Sequence, residues 1–310
     1  MFLLIAGAPL RAEDFLPGVK RIVFLGDSIT YSGEYVDFVE AYLLIHFPER
    51  KFEIIEVGLP SETVSGLSEA GHAGGAFPRP DLHERLDRVL AKTKPDLVFA
   101  CYGMNDGIYL PFAEERFAKF RAGIERLRAK VEAAGAKIIH LTPPTFDAGP
   151  IKNRAVAKDA KGSDKPFEVY NDTLGRYSEW MLAQRAKGWR VFDVHGPMDQ
   201  ALAERRATNP DFRFAGDGVH PGAAGHWVIA RAVLDGLGQA TDDFTTNARY
   251  TDLIKLVRAR GRIVTDAWLT DAGHLRPGMN KGLPLAEAQA KAAELDPKIR
   301  EAAAALAGNP

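Results

Sequence analysis

Short, continuous apolar runs alternate with segments of helical spacing through most of this chain, and that alternation limits what it can fold into. Lys20-Arg21-Ile22-Val23-Phe24-Leu25, Phe52 to Val57, Asp96 to Tyr102, Lys137 to Leu141 and Arg190 to Val194 each read as a strand. In the first and third the apolar residues run on without polar alternation, as in strands buried on both faces. Between them Glu34 to Phe47, Pro80 to Ala91, Ala113 to Ala134 and Phe167 to Lys187 carry helical periodicity, the last two closed by Gly135 and Gly188. Strands that alternate with helices form a parallel sheet covered on both faces, and ligands in such sheets bind beyond the carboxyl ends of the strands. The pattern predicts an α/β domain over residues 20–237 with its site in the loops that follow the strands.

Four stretches in or near those loops each supply one part of an ester-cleaving site. Gly26-Asp27-Ser28 follows the first strand, Ser61-Glu62-Thr63 the second and Gly103-Met104-Asn105-Asp106 the third. Asp217-Gly218-Val219-His220 precedes the last helix of the domain, with Pro221 expected in that helix's first turn. A nucleophilic serine needs a histidine to take its proton, an acid to hold that histidine in one tautomer, and donors where oxyanion charge develops. Ser28, His220, Asp217 and Asn105 are of the residue types those roles need.

Each stretch alone is weak, since Gly-Asp-Ser and Asp-x-x-His recur by chance; their order carries the information. In that order the chain resembles the SGNH (GDSL-type) hydrolase family over roughly residues 20–237. The resemblance implies a flavodoxin-like three-layer α/β/α sandwich whose five-stranded parallel sheet runs 2-1-3-4-5. It also implies catalytic Ser28, Asp217 and His220, and an oxyanion hole formed by the backbone N–H groups of Ser28 and the second block together with the Asn105 side chain. The second block departs from the family, because Ser61 stands where a glycine is usual. A backbone donor needs no particular side chain, so Ser61 is expected to serve with ordinary backbone angles, and Gly58 is the fallback.

Other candidates are weighed against ordinary structural roles. Asp27 and Asp106 flank the expected nucleophile and oxyanion donor, where an Asp more often binds local backbone amides. His72, Phe77 and Arg79 lie in a Gly- and Pro-rich stretch after the second block and are expected to line the substrate pocket or simply the surface. His226 and His195 read as packing residues, and Cys101 as a core residue in an apolar run. No Gly-x-Ser-x-Gly elbow, Gly-x-Gly-x-x-Gly turn or phosphate-binding loop occurs.

Forty basic against forty-one acidic side chains leave no net field for nucleic acid or an anionic membrane. The single cysteine rules out an intrachain disulfide framework, no metal-ligand spacing occurs, and no cofactor is implied. Residues 1–19 read as the end of an export signal and its lead-in, which makes the expected location periplasmic or secreted. Nothing else approaches the roughly 20 apolar residues of a membrane span. Residues 145–166 are polar and expected to form a surface insertion or a lid. Residues 238–310 are expected to form a helical extension packed on the main domain, with one helix starting at Pro284 and another capped by Asp296-Pro297. The expected activity is hydrolysis of short O-acyl esters, acetyl groups on carbohydrate foremost. The alternatives are an O-acyltransferase with the same residues, a lipase or thioesterase of the same family, and a non-catalytic carbohydrate-binding protein.

Overall fold

The computed structural model describes residues 16–152, 155–156, 165–239 and 243–307. The expected export signal at the N-terminus lies almost wholly outside these residues. Strands β1 (Arg21–Gly26), β2 (Glu53–Glu56), β3 (Leu97–Cys101), β4 (Lys137–Leu141) and β5 (Arg190–Phe192) form one parallel sheet in the order β2-β1-β3-β4-β5, as the resemblance implied. Side chains along a strand point to opposite faces, so each strand feeds two cores. Ile22, Phe24, Leu97 and Phe99 belong to one, Val23, Leu25, Val98 and Ala100 to the other. The parallel register sets Phe24 beside Phe99, with the rings stacked 5.0 Å apart.

The helices are α1 (Ser28–Ser32), α2 (Glu34–His46), α3 (Leu82–Thr93), α4 (Glu114–Ala133), α5 (Tyr170–Ala183), α6 (His195–Thr208), α7 (Ala223–Gly236), α8 (Thr251–Ala272), α9 (Leu285–Ala293) and α10 (Asp296–Ala307). Three of them were not expected: the five-residue α1, too short to show a period, α6 and α8. Helix α6 carries a proline in its first turn and buries only His195, Met198 and Leu202, too few apolar positions to set up a legible stripe. Helix α8 is the longest in the fold, yet Lys255, Arg258, Arg260 and Arg262 break up its apolar pattern. Three of those cations reach carboxylates or carbonyls of α1 and α2. The amino-terminal half of α8 adds Leu253 and Val257 to one core, and its carboxyl-terminal half adds Trp268, Leu269 and Ala272 to the other. It therefore wraps the β2 edge of the sheet, where unpaired backbone groups would otherwise be open.

Two further expectations need correction. Pro221 stands before the Gly222 N-cap of α7 and not within its first turn. The start of the 145–166 segment is no surface insertion: Thr145, Phe146, Asp147 and Ile151 are buried, and the Asp147 N–H donates to Gly218 O at 2.9 Å. A polar sequence is buried here because Asp147 accepts from the Arg206 guanidinium at 2.6 Å and Thr145 donates to Asp199 at 2.7 Å. Residues 153–154 and 157–164 of that segment lie outside the described residues.

Candidate active site

The site assembles where the sheet ends. β1 stops at Gly26, where a Cβ would run into the Thr30 side chain and lie 2.8 Å from Cys101 O, so only glycine lets the chain turn this tightly against β3. The turn places Ser28 at the first position of α1, and Asp27 caps that helix by accepting from the Ile29 N–H at 2.9 Å. Ser28 Oγ lies 2.8 Å from His220 Nε2, and His220 Nδ1 lies 2.7 Å from Asp217 Oδ2. The other oxygen of Asp217 accepts from the backbone N–H groups of Val219 and His220, at 2.9 and 2.8 Å.

Electrostatics select one protonation pattern. Burial pushes the Asp217 carboxyl up, but its hydrogen bonds from the His220 ring and from the two backbone N–H groups together outweigh this and hold it well below the usual carboxylate range. An ionised carboxylate only accepts, so the proton between the pair sits on Nδ1. Nε2 is then a bare acceptor facing the serine hydroxyl. The hydrogen bond to Asp217 also raises the His220 pKa above its ordinary 6.5, against the opposing effect of burial.

β3 delivers the third block. At Gly103 φ is 131°, and a Cβ would come within 2.8 Å of the Pro143 ring. The turn that follows is tied down by Tyr170, whose phenol donates to Met104 O at 2.8 Å and accepts from the Gly107 N–H at 3.1 Å. Asn105 is buried, and the Arg79 guanidinium donates to its Oδ1 at 2.9 Å. A guanidinium has no acceptor, so the oxygen must face Arg79 and the NH2 group must point the other way. One of its hydrogens goes to Glu62 O at 3.2 Å, and Tyr109 OH donates to Oδ1 at 3.2 Å. Asp106 is wholly buried and accepts from the N–H groups of Val64 and Ser65 at 2.9 and 2.8 Å, which ties the third block to the second.

In the second block Ser61 has φ 69°, in the left-handed region that favours glycine, so the ordinary backbone expected of it is not what the fold uses. Glu62 anchors the turn, accepting from Arg85 Nε at 2.6 Å and from Tyr102 OH at 2.6 Å within the core. Among the described residues the N–H groups of Ser28 and Ser61 find no protein acceptor, and so does that of Gly58, the fallback donor.

Of the pocket candidates, Arg79 is buried and its remaining nitrogens fork onto Glu69 at 2.7 and 2.6 Å. Arg79 therefore serves Asn105 directly. His72 and Phe77 stay at the half-exposed rim, their rings edge to face at 5.3 Å. His226 binds Ser32 Oγ at 2.7 Å and stacks on Tyr35, and His195 Nδ1 lies 3.2 Å from Pro143 O; neither is a hydrogen-bond partner of Ser28 Oγ. Sequence reading missed Glu69 and the Arg276 side chain described below, because neither lies at a spacing that marks a motif. Among the described residues no cluster of His, Cys, Asp and Glu could hold a metal ion, and no helix is long and apolar enough to cross a membrane.

The chain is similar to several known proteins. An acetylxylan esterase from Geobacillus stearothermophilus is 24% identical over 240 residues, which cover 71% of this chain and 94% of that protein. The structure of a catalytic mutant of the esterase Axe2 from the same organism matches with TM-score 0.51 and 21% identity, over 71% of this chain and 95% of the other. A gut microbial diltiazem-metabolizing enzyme matches with TM-score 0.54 and 22% identity over 72% of this chain; the match spans 48% of that enzyme, about half its length. Residues 24–228 match the GDSL-like lipase/acylhydrolase family, so the chain belongs to that family and is an ester-hydrolysing enzyme.

Proposed function

We propose that the chain is a serine esterase that removes short acyl groups, acetyl foremost, from carbohydrate hydroxyls. The observation that carries the mechanism is the hydrogen-bonded line from Ser28 Oγ through His220 to Asp217. His220 Nε2 takes the hydroxyl proton as Oγ bonds to the ester carbonyl carbon. The carbonyl oxygen becomes an oxyanion held by Asn105 Nδ2 and the N–H groups of Ser28 and Ser61. Collapse breaks the bond to the sugar oxygen, which leaves with the proton from His220. Water repeats the sequence on the acyl-serine and releases the acid.

The carbohydrate part of the proposal is supported by the likeness to an acetylxylan esterase and by the openness of the site, since the His220 and Asp217 side chains are 50% and 48% exposed. A site that binds long acyl chains needs an apolar channel. An exposed triad rimmed by Phe77, Tyr109 and polar loops is better suited to a sugar face. Export, expected from residues 1–19, belongs to the same proposal; the mature N-terminus of protein recovered outside the cell checks it.

The test is a series of p-nitrophenyl esters from acetate upward, run beside acetylated xylan with acetate release as readout. Activity is expected to be highest at acetate and to fall beyond butyrate, with acetate released from the glycan. Ser28→Ala is expected to stay folded and lose on the order of 10³-fold or more in turnover. Near-normal turnover of folded Ser28→Ala would end the nucleophile assignment, and rates that climb with acyl length without acetate release would end the carbohydrate one.

A further inference from the structure

Each of the two amide groups named as oxyanion donors outside Ser28 is gripped at its carbonyl end by an arginine. Arg79 Nη1 donates to Asn105 Oδ1, the far end of the amide that carries Nδ2. Arg276 Nε donates to Pro60 O at 2.8 Å, and that carbonyl is the far end of the peptide unit that carries the Ser61 N–H. Arg276 comes from the segment between α8 and α9, outside the residues that match the family. It is itself fixed, with Nη1 on Pro277 O at 2.9 Å and its guanidinium 5.2 Å from the centre of the Phe77 ring.

We propose that Arg276 is a positioning residue for the oxyanion hole. It locks the 60–61 peptide in the orientation that aims the Ser61 N–H at the reacting carbonyl, as Arg79 locks the Asn105 amide. This rests on the Ser28 hydrolase reading. The left-handed φ of Ser61 shows what the lock opposes. Flipping the peptide turns ψ of Pro60 and φ of Ser61 by about half a turn each, which carries Ser61 to the negative φ that L residues favour and points its N–H away from the site. A charged donor on Pro60 O holds the strained orientation, because the flip would break that bond. The same donor draws electron density through the peptide and strengthens the N–H as a donor.

The test replaces Arg276 with methionine, which keeps an apolar stem against Phe77 and removes the donor, and with lysine, which restores a cation. Arg276→Met is expected to lower kcat about tenfold while KM for p-nitrophenyl acetate stays within about twofold, as for loss of a contact made in the transition state. Affinity for a boronic acid, whose tetrahedral adduct on Ser28 puts an oxygen in the hole, should fall by the same factor, and Arg276→Lys should recover part of both. In a Ser61→Gly background the kcat loss should shrink at least threefold, since glycine has no strain to relieve by flipping. Unchanged kcat in folded Arg276→Met, a loss confined to KM with boronate affinity intact, or an identical loss in the Ser61→Gly background would each overturn the inference. Should Arg276→Met fail to fold, Arg276→Lys with and without Ser61→Gly decides the same question. Ser28→Ala separates the two readings: if it stays active the hydrolase reading fails, and if it is dead while Arg276→Met is fully active only the lock fails.

Discussion

Beside the nucleophile, the Asp27 carboxyl is buried, and that burial pushes its pKa from an ordinary 3.8 to about 7 against the pull of the Ile29 N–H and of His220. The folded protein therefore keeps a proton on Asp27 that the unfolded chain has already lost. Between about pH 4 and 7 unfolding releases that proton, so this group's contribution to stability falls as pH rises through the window and the loss is complete above it. Asp27→Asn keeps an oxygen for the Ile29 N–H and removes the charge. It is expected to stabilise the fold at pH 8 by on the order of 2 kcal/mol and far less at pH 5, measured by urea unfolding at both values. The Asp27 charge also helps hold the His220 pKa up, so the acid limb of kcat/KM, which should lie above the ordinary imidazole value in the parent, should move to lower pH in the variant. An acid limb that does not move would mean that Asp27 is protonated throughout the working range. At this scale the sequence was most legible, because Ser28, Asn105, Asp217 and His220 sit in short local blocks. Arg79, Glu69 and Arg276 were opaque as partners, since loop paths and not spacing bring them to those blocks.

The strands could be read as elements because a parallel sheet buried on both faces leaves continuous apolar runs, and the helices over residues 34–47, 80–91 and 113–134 because they keep an apolar stripe. Helix α8 was hidden by its own charges. Arg260 lies between α2 and α10, with one nitrogen on Glu40 and another on Asp296 at 3.0 Å. Glu40 is only 8% exposed, and burial raises its pKa although Arg260 pulls it down. Removing one partner of a buried pair leaves an uncompensated charge, which costs more than the pair contributes. Arg260→Met is accordingly expected to destabilise by about 2–3 kcal/mol in chemical denaturation at pH 7, and the double change Glu40→Gln with Arg260→Met to recover at least half of that. Additive losses in the double variant would show that Arg260 acts through packing alone.

For the whole molecule, the question is why a catalytic sheet that ends with α7 is followed by three more helices. Helix α2 contains the answer: Tyr35, Val36, Phe38, Val39, Ala41, Tyr42, Leu43 and Ile45 are buried, and so are Asp37 and Glu40 on its remaining side. A helix buried on its charged side as well as against the sheet needs a cover there that also partners its carboxylates. α7 packs on one side of it, and α8 and α10 on another. Rings continue the joint, with Phe38 edge-on to Trp227 at 5.5 Å, Trp227 on Phe244 at 5.0 Å and Phe244 on Tyr250 at 4.1 Å. The need for a cover was thus present in the sequence of α2, but the charges spaced along α8 masked the segment that supplies it. A chain ended after Gln239 would expose that face of α2 and the β2 edge together, at roughly 2 kcal/mol for each large apolar side chain returned to water. The total is comparable to the whole stability of an ordinary domain. The truncated chain is expected to be insoluble, or to bind an apolar dye and melt without cooperativity, and its esterase activity should be lost along with Arg276. A soluble truncated chain that melts cooperatively at the parent's temperature would show that the sheet and α1 to α7 stand alone, and that the extension contributes only what Arg276 does at the oxyanion hole.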